Sequence, residues 1–294
     1  MEAPIIAFMP YMVGRRFDFW NVSLDALDYP LGQPTELLGK SLKVRNLKPK
    51  DHLIVYPSKS IFYAPKFLCR ANISVMIVEP DLVHQRYLNL ATKKFSRFFR
   101  VLSKNQKLLS EIPNGNHFVF GSSFIENPEK LIIKKSQDCS LIASSKNEFI
   151  GHKMRHEIAG MIKQDNLPID VIGRGYKPFQ KKEDGLLPYK YSAVIENCQE
   201  VGYFTEKLID SFLCETIPIY WGAQDITNYF DEDGMLVCNS KEEVAEAMRR
   251  VGEMKLHENC RAIKENKARA FYYADISARA AQIISDELNI QAKR

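Results

Sequence analysis

The chain has 294 residues, 45% of them hydrophobic and 11% aromatic, so it is long enough for two globular domains with separate cores. Its net charge of +5 suits an anionic small molecule or an anionic membrane surface and falls short of the charge typical of nucleic-acid-binding proteins. No apolar stretch reaches transmembrane length. Residues 1–13 are apolar but contain two prolines and no basic start, which predicts a first core strand rather than a signal peptide.

The six cysteines show no CxxC spacing, and several lie in apolar runs. This pattern favours buried free thiols over disulfides or zinc ligands, and it indicates a reducing compartment.

The first half of the chain predicts an α/β domain. Apolar runs that end in polar residues predict strands at 4–8, 53–56 and 74–78, followed by a helix over 88–99 and a strand over 100–103. The helix carries the basic residues Lys93, Lys94 and Arg97 among aromatics, with Arg100 after them. We interpret these cations as a solvated helix face, with a patch drawn to acidic lipid or glycan as the alternative. The polar stretch 126–130 contains a proline and predicts the domain joint, so the first domain is expected to span 1–128.

The second half alternates strand and helix regularly, which predicts a doubly wound parallel sheet over 129–265. We expect strands at 141–143, 170–173, 192–195 and 217–221, and helices at 152–163, 205–213 and 241–251. The final stretch is amphipathic and helix-rich. We expect 266–294 to form a C-terminal helical segment that packs back toward the N-terminal domain.

The segment from 189 to 222 places polar residues where apolar elements join. The predicted strand 192–195 ends in Glu196 and Asn197, and Thr205 is a predicted N-cap for the following helix. In open α/β sheets ligands collect outside the carboxyl ends of strands, and the first turn of a helix offers unpaired N–H groups. The segment therefore predicts a site for a phosphate-bearing ligand.

Three side chains of this segment have the chemistry of a nucleotide diphosphate pocket. Lys207 adds a positive charge, Tyr203 a hydroxyl donor, and Glu206 an acceptor for a ribose diol. The alternative is that Glu206 and Lys207 form a solvated helix face, and that Glu196 merely ends a strand.

Three motifs carry a resemblance to a known family. They read YKYSAVIEN from Tyr189, GYFTEKLIDSF from Gly202 and TIPIYWG from Thr216. Together they resemble the donor-binding signature of the α-1,3-fucosyltransferases, glycosyltransferase family ten, in its bacterial form. The resemblance covers about the last half of the chain, because SLIASSK from Ser140, with Arg155 after it, is similar to the family's strand, loop and arginine.

The resemblance implies a fold, a reaction and residue roles. The fold is GT-B, in which two Rossmann-like domains with parallel sheets face each other across a cleft. By resemblance Arg155 and Lys207 contact the donor phosphates, Asn197 and Tyr203 hydrogen-bond the diphosphate, and Glu206 holds the ribose. Glu196 belongs to the same donor-binding set, and so does Arg174 of the Gly173-Arg174-Gly175 run, for which a simple turn is the alternative.

The base that accepts the acceptor's proton is expected in the first domain. Glu79 follows the predicted strand 74–78, and the resemblance implies a catalytic glutamate near the end of an equivalent strand. Asp81 and His84 are alternatives for the role, and Glu79 as a simple strand cap is another. A carboxylate base suits an inverting single displacement.

We expect no metal ion and no cofactor beyond the GDP-sugar donor itself. The run Asp231-Glu232-Asp233 superficially offers a manganese-binding pair, but its setting between a helix and a strand predicts a turn. With basic residues placed for the diphosphate, a divalent ion is unnecessary, as the resemblance also implies.

Three functions compete. The first is a fucosyltransferase-like, inverting enzyme that uses a GDP-sugar and builds a cell-surface glycan such as lipopolysaccharide. The second keeps fold and reaction but uses a mannosyl, glucosyl or hexosaminyl nucleotide sugar on a lipopolysaccharide core. The third is a non-catalytic nucleotide-sugar or glycan-binding module. We expect a cytoplasmic protein with peripheral contact to the anionic inner face of the cytoplasmic membrane and no nucleic-acid partner; the acceptor, linkage and oligomeric state stay open.

Overall fold

The structure is a computed structural model and describes residues 3–14, 17–256 and 260–292. The chain forms two compact units. The first comprises Met1–Val119 together with Ile276–Arg294, and the second comprises Phe120–Asp275.

The first unit contains a parallel five-stranded sheet. Its strands lie side by side in chain order, and they are β1 (Ile6–Phe8), β2 (His52–Val55), β3 (Asn72–Ile77), β4 (Val101–Ser103) and β5 (Gly115–His117). Every residue of β2 and β4 is buried, which explains why these strands appear in the sequence as short apolar runs without alternation. Strand β5 has no such apolar run, and the sequence did not predict it.

Four helices of the first unit lie between its strands along the chain. They are α1 (Tyr11–Gly14), α2 (Lys59–Tyr63), α3 (Asp81–Lys94) and α4 (Gln106–Glu111). Helix α3 begins directly after Pro80, well before the predicted start at 88. Proline fixes φ near the helical value and lacks the N–H that a first turn leaves unpaired, so it marks this helix start. Ala91 and Leu88 of α3 are buried in the first core.

The second unit contains another parallel five-stranded sheet, in the spatial order β10-β9-β8-β6-β7. Its strands are β6 (Gln137–Ile142), β7 (Ile169–Ile172), β8 (Tyr189–Ile195), β9 (Ile217–Trp221) and β10 (Leu236–Val237). From β6 the chain first adds β7 on one side and then β8 on the other, which is the reversal of a doubly wound sheet. The prediction of such a sheet is confirmed.

The helices of the second unit are α5 (Ile150–Gln164), α6 (Glu206–Leu213), α7 (Lys241–Arg249) and α8 (Cys260–Ala274). Helices α5 and α7 pack on the sheet through a core that includes Ile158, Ile162, Val244 and Met248. Helix α6 contacts α8. Both structural units therefore have a hydrophobic core of their own.

The last helix, α9 (Ile276–Ala292), belongs to the first unit and contacts β1 and β2. An ion pair of 2.7 Å between Arg100 Nη2 and Glu287 attaches it next to β4. The expected C-terminal segment 266–294 is thus divided, because the part up to 274 lies in α8.

The division between the units falls after Val119, upstream of the predicted joint at 128. The reason lies in the segment after it. Gly121 N donates to Phe204 O at 3.2 Å, and Ser123 Oγ and Phe124 N both donate to Asp210. These bonds attach residues 121–124, which precede the polar stretch 126–130, to the second unit.

Within the described ranges, no helix combines the length and the apolarity needed to cross a bilayer. Of the cysteines the structure describes, Cys69, Cys139, Cys214 and Cys238 are buried free thiols. The predicted burial of cysteines is confirmed for these four.

Candidate functional site

The polar residues of the second unit meet where its strand order reverses. Helix α5 follows β6 and helix α6 follows β8, so both helices begin at the carboxyl edge of two adjacent strands. Parallel doubly wound sheets bind ligands at this reversal, because the flanking helices diverge there and leave a crevice. The N–H groups at both helix starts add positive potential to the same place.

Arg155 connects helix α5 to the end of β8. Its Nε donates to Ile195 O at 3.0 Å, and its Nη2 donates to Asn197 Oδ1 at 2.9 Å. The arginine is 5% exposed, and burial lowers the pKa of its guanidinium, with Glu196 and Glu206 acting in the opposite direction. Buried cations of this kind need a partner, and an anionic ligand suits a guanidinium whose bonds so far go to neutral oxygens.

Glu196 is fully buried and organises the start of helix α6. One carboxylate oxygen accepts from Thr205 N at 2.7 Å, and the other accepts from Thr205 Oγ1 at 2.7 Å. Lys207 Nζ lies 3.4 Å from the second oxygen. Both oxygens are occupied by protein donors, so Glu196 acts by positioning Thr205 and Lys207 rather than by touching a ligand.

Lys207 is the cation at the first turn of helix α6. Its Nζ donates to Thr205 Oγ1 at 3.0 Å and to Glu206 Oε1 at 3.1 Å, and its side chain stays 23% exposed. Burial alone would lower the pKa of Lys207, but Glu206 and Glu196 outweigh burial and raise it. The ammonium is therefore charged at neutral pH, with its three N–H donors directed at Thr205, Glu206 and Glu196.

Two glycines allow the elements of the site to pack this closely. A Cβ on Gly151, in the first turn of α5, would lie 1.7 Å from Glu196 O, and Gly151 N donates to Asn197 O at 3.0 Å. A Cβ on Gly222 would lie 2.3 Å from the Tyr220 hydroxyl. Any larger residue at position 151 or 222 would therefore clash with its neighbours. Gly222 is the final glycine of the TIPIYWG motif.

The sequence reasoning missed two ionisable residues beside this cluster. Lys182 lies close enough to Asp210 and Glu206 for both carboxylates to oppose the lowering of its pKa by burial. Burial raises the pKa of Asp210 to about 7. Lys182 and the hydrogen bonds from Ser123 and Phe124 lower this pKa, but burial outweighs them. Asp210 Oδ2 is buried, and none of the residues that the structure describes forms a hydrogen bond with it. No motif marks Lys182, whereas Asp210 lies inside the GYFTEKLIDSF motif.

Glu206, Tyr203 and Arg174 differ in how closely they join the cluster. Glu206 contacts Lys207, and its pKa is lowered because Lys207 and Lys182 outweigh the opposite effect of burial. Tyr203 is 1% exposed and near enough to Arg155 to influence the pKa of that arginine. Arg174 is exposed beyond β7, the edge strand, and no contact among the described residues brings it to the others.

His152 is a neutral group at the start of α5. Its Nδ1 accepts from Glu148 N at 3.2 Å and from Phe149 N at 3.3 Å. Burial lowers the pKa of His152 to about 4, and Arg155 and Lys146 act in the same direction. The imidazole therefore secures the loop before α5 without adding charge to the site.

Glu79, the predicted base, lies in the first unit beyond the end of β3 and is half-buried. Its neighbour is Tyr56, which follows β2; burial raises the pKa of Tyr56, and Glu79 and Tyr11 raise it further while Arg279 lowers it. Tyr11 follows β1, and its ring packs edge-on against the Tyr56 ring at 5.2 Å. The carboxyl ends of three adjacent strands thus bring two tyrosines to the predicted base.

The alternatives to Glu79 have other contacts. Asp81 forms an ion pair of 2.9 Å with the buried Lys104 and accepts from Asn105 Nδ2 at 2.5 Å. His84 is 6% exposed, and burial lowers its pKa to about 4, with Lys104 adding to the effect. Asp81 is thus engaged in an ion pair, and His84 is a buried, neutral imidazole.

The acidic run near residue 231 forms the expected turn, Glu232–Gly234, just before β10. Asp231 Oδ1 accepts from Asp233 N at 3.1 Å, and Asn266 of α8 binds the Asp231 backbone. Among the residues that the structure describes, no three His, Cys, Asp or Glu side chains are grouped as metal ligands.

Residues 132–260 match the model of the glycosyltransferase family 10 (fucosyltransferase) C-terminal domain. An α-(1,3)-fucosyltransferase of Helicobacter pylori is 30% identical over 105 residues, which are 33% of this chain and only 22% of that protein.

Two solved structures share the fold at low identity. Anabaena Alr3699/HepE in complex with UDP and glucose has a TM-score of 0.57 at 12% identity, covering 82% of this chain and 78% of that one. An α,α-trehalose 6-phosphate synthase from Burkholderia multivorans has a TM-score of 0.55 at 11% identity. The match covers 84% of this chain and 73% of that one. The resemblance to family ten and the GT-B class, with two parallel-sheet α/β domains, are confirmed.

Proposed function

We propose that this chain, whose residues 132–260 match the model of the glycosyltransferase family 10 C-terminal domain, is an inverting, metal-independent glycosyltransferase. It transfers fucose or a related sugar from a GDP-sugar to a hydroxyl of a cell-surface glycan, in particular lipopolysaccharide. The observation that carries the proposal is the convergence of Arg155, Asn197, Glu206 and Lys207 at the strand-order reversal of the second unit.

The donor diphosphate is the ligand that best fits this convergence. Arg155 and Lys207 supply two cations beside two helix N-termini, and Asn197 keeps its amide N–H₂ available because Arg155 bonds its oxygen. Charge that builds on the departing nucleoside diphosphate is stabilised by these fixed donors. In other sugar transferases a divalent ion stabilises this negative charge. Here the two cations take that role, so the reaction needs no metal ion.

The acceptor hydroxyl is deprotonated by Glu79 in this proposal. A single displacement in which Glu79 takes the proton as the hydroxyl attacks the anomeric carbon inverts that centre. Tyr11 and Tyr56, next to Glu79, offer ring faces and hydroxyls of the kind that bind sugars.

Glu79→Gln tests the role of the base. It keeps the size of the side chain and removes its proton affinity, so we expect kcat to fall by about a hundredfold to ten-thousandfold while the Kd for GDP stays unchanged. Glu36→Gln, at an exposed glutamate of the same unit, is the matched control and should leave both values unchanged. Full turnover by Glu79→Gln would contradict the assignment and leave Asp81 and His84 as the candidates.

The second candidate function changes only the donor, to a mannosyl, glucosyl or hexosaminyl nucleotide sugar. It stays open because the residues of the cluster match phosphates and ribose, which all these donors share. The third candidate, a binding module without catalysis, is less favoured because the cation set and the candidate base occur together. Tight GDP binding without any sugar transfer or donor hydrolysis would favour it.

We place the enzyme in the cytoplasm, peripherally at the inner face of the membrane where lipid-linked glycans are assembled. The basic net charge and the buried free thiols support this location.

A further inference from the structure

Two segments of the first unit lack acidic residues altogether. Residues 59–78 and 82–110 contain ten lysines and arginines and no aspartate or glutamate. Helix α7, by contrast, carries lysine, arginine and glutamate side chains together. The segments include α2, β3, most of α3, β4 and the start of α4, together with the turns between them.

Two large aromatic side chains are exposed among these cations. Tyr63 is 54% exposed and Phe67 is 77% exposed. Their neighbours Ile61 and Phe62 are 1% exposed and belong to the first core, which fixes the α2 turn firmly. Exposed aromatics on a rigid turn are a feature of binding surfaces rather than of a folding core.

Four cations surround these aromatics, and we call the six residues the basic aromatic patch: Tyr63, Lys66, Phe67, Arg70, Lys94 and Arg97. Lys94 Nζ lies 3.7 Å from the centre of the Tyr63 ring and donates to Phe62 O at 3.4 Å. Arg97 donates to Ile61 O at 2.6 Å and also to Ala64 O. Lys66, Arg70 and Arg97 line one cavity of about 400 Å³.

None of the four cations is paired with a carboxylate among the described residues, whereas nearby Arg100 pairs with Glu287 and Lys104 with Asp81. Backbone carbonyls orient Arg97 but leave its charge uncompensated. The patch thus combines unneutralised charge, a cavity of headgroup size and two exposed aromatics.

We infer that the basic aromatic patch binds the protein to anionic phospholipid, with a headgroup phosphate in the cavity and with Tyr63 and Phe67 at the membrane interface. Each lysine or arginine near an anionic surface adds to the attraction, and aromatic rings settle at the headgroup level. The inference rests on the proposed function only for the identity of the membrane. Lipid binding itself is independent of sugar transfer.

Vesicle sedimentation tests the inference. Full-length protein is mixed with vesicles of phosphatidylcholine alone, or of phosphatidylcholine with phosphatidylglycerol. We expect binding to the anionic vesicles only, and a loss of about tenfold or more in partitioning for the double variant Lys66→Glu with Arg70→Glu. The matched control is Arg261→Glu with Lys264→Glu, which makes the same charge change at exposed positions of α8.

The aromatic contribution is tested by Phe67→Ala against Phe124→Ala, since Phe124 is 67% exposed in the second unit. Only Phe67→Ala should weaken partitioning. Equal losses in patch and control variants, equal binding to both vesicle types, or no vesicle binding would each overturn the inference.

Two further readouts separate the sources of failure. Thermal stabilisation by inorganic phosphate that depends on Lys66 and Arg70, without vesicle binding, would show a free-anion site and refute lipid docking. Transfer from a soluble donor to a soluble acceptor should be unchanged in the patch variants, so a missing transfer activity with intact vesicle binding would count against the proposed function alone.

Discussion

The close approach of helix α5 to the end of β8 yields a prediction with an internal control. Gly151 and Gly160 lie on the same helix, but an added Cβ meets Glu196 O at 1.7 Å from position 151 and nothing within 4 Å from position 160. Gly151→Ala forces the Glu196 carbonyl to move by more than an ångström and breaks the 3.0 Å bond from Gly151 N to Asn197 O.

The magnitudes follow from overpacking and a lost hydrogen bond. We expect Gly151→Ala to lower the free energy of unfolding by about 2 to 4 kcal/mol. Gly160→Ala should raise it by about 0.5 to 1 kcal/mol, because alanine is the better residue in a helix interior. Because Asn197 moves with the carbonyl, Gly151→Ala should also weaken GDP binding by about tenfold or more.

Urea denaturation and isothermal titration calorimetry with GDP measure both effects. If Gly151→Ala is as stable as Gly160→Ala and binds GDP as tightly, the described packing of α5 against residues 196 and 197 is wrong. A stability loss without any change in GDP affinity would remove these residues from the donor site.

Three further predictions concern charge and protonation. Arg155→Ala leaves Ile195 O and Asn197 without their donor and removes a cation, so we expect GDP to bind about tenfold to a hundredfold more weakly by calorimetry; unchanged affinity would exclude Arg155 from the site. The pKa of Asp210 is raised to about 7 from an ordinary 3.8, so its contribution to stability is fully present below pH 3.8 and is lost as pH rises through 7. Asp210→Asn should therefore remove up to about 4 kcal/mol of that pH dependence, measured by urea denaturation at acid and neutral pH, and an unaltered pH profile would contradict the raised pKa. Sugar transfer should persist in EDTA, and a complete loss that manganese restores would show that the cations of the cluster do not suffice.

The second unit could be predicted closely because its signals are local. The strand at Ile217–Trp221 has the predicted bounds, since an apolar run between Thr216 and Gly222 leaves little choice. The motif residues Asn197, Glu206 and Lys207 were identified from their order along the chain, and the fold brings them to Arg155.

What the sequence did not reveal depends on distant contacts. The positioning role of Glu196 is visible only once Thr205 and Lys207 are seen to occupy both of its oxygens. Lys182 lies in a short charged turn, and its sequence does not differ from that of a solvated loop. Two of the basic residues predicted as a solvated helix face, Lys94 and Arg97, contact the α2 turn, because Lys94 covers the Tyr63 ring and Arg97 donates to the carbonyl of Ile61. Lys93 is exposed, as predicted.

The central claim is that the cluster at the strand-order reversal binds a GDP-sugar and releases GDP as the sugar is transferred. The most direct measurement is nucleotide release from a panel of GDP-, UDP- and CMP-sugars, by the wild-type protein and by Arg155→Ala, with lipopolysaccharide as acceptor. We predict release from a GDP-sugar alone, GDP-fucose foremost, and its loss in the variant. Release from UDP- or CMP-sugars at a comparable rate, or full activity without Arg155, would contradict the account.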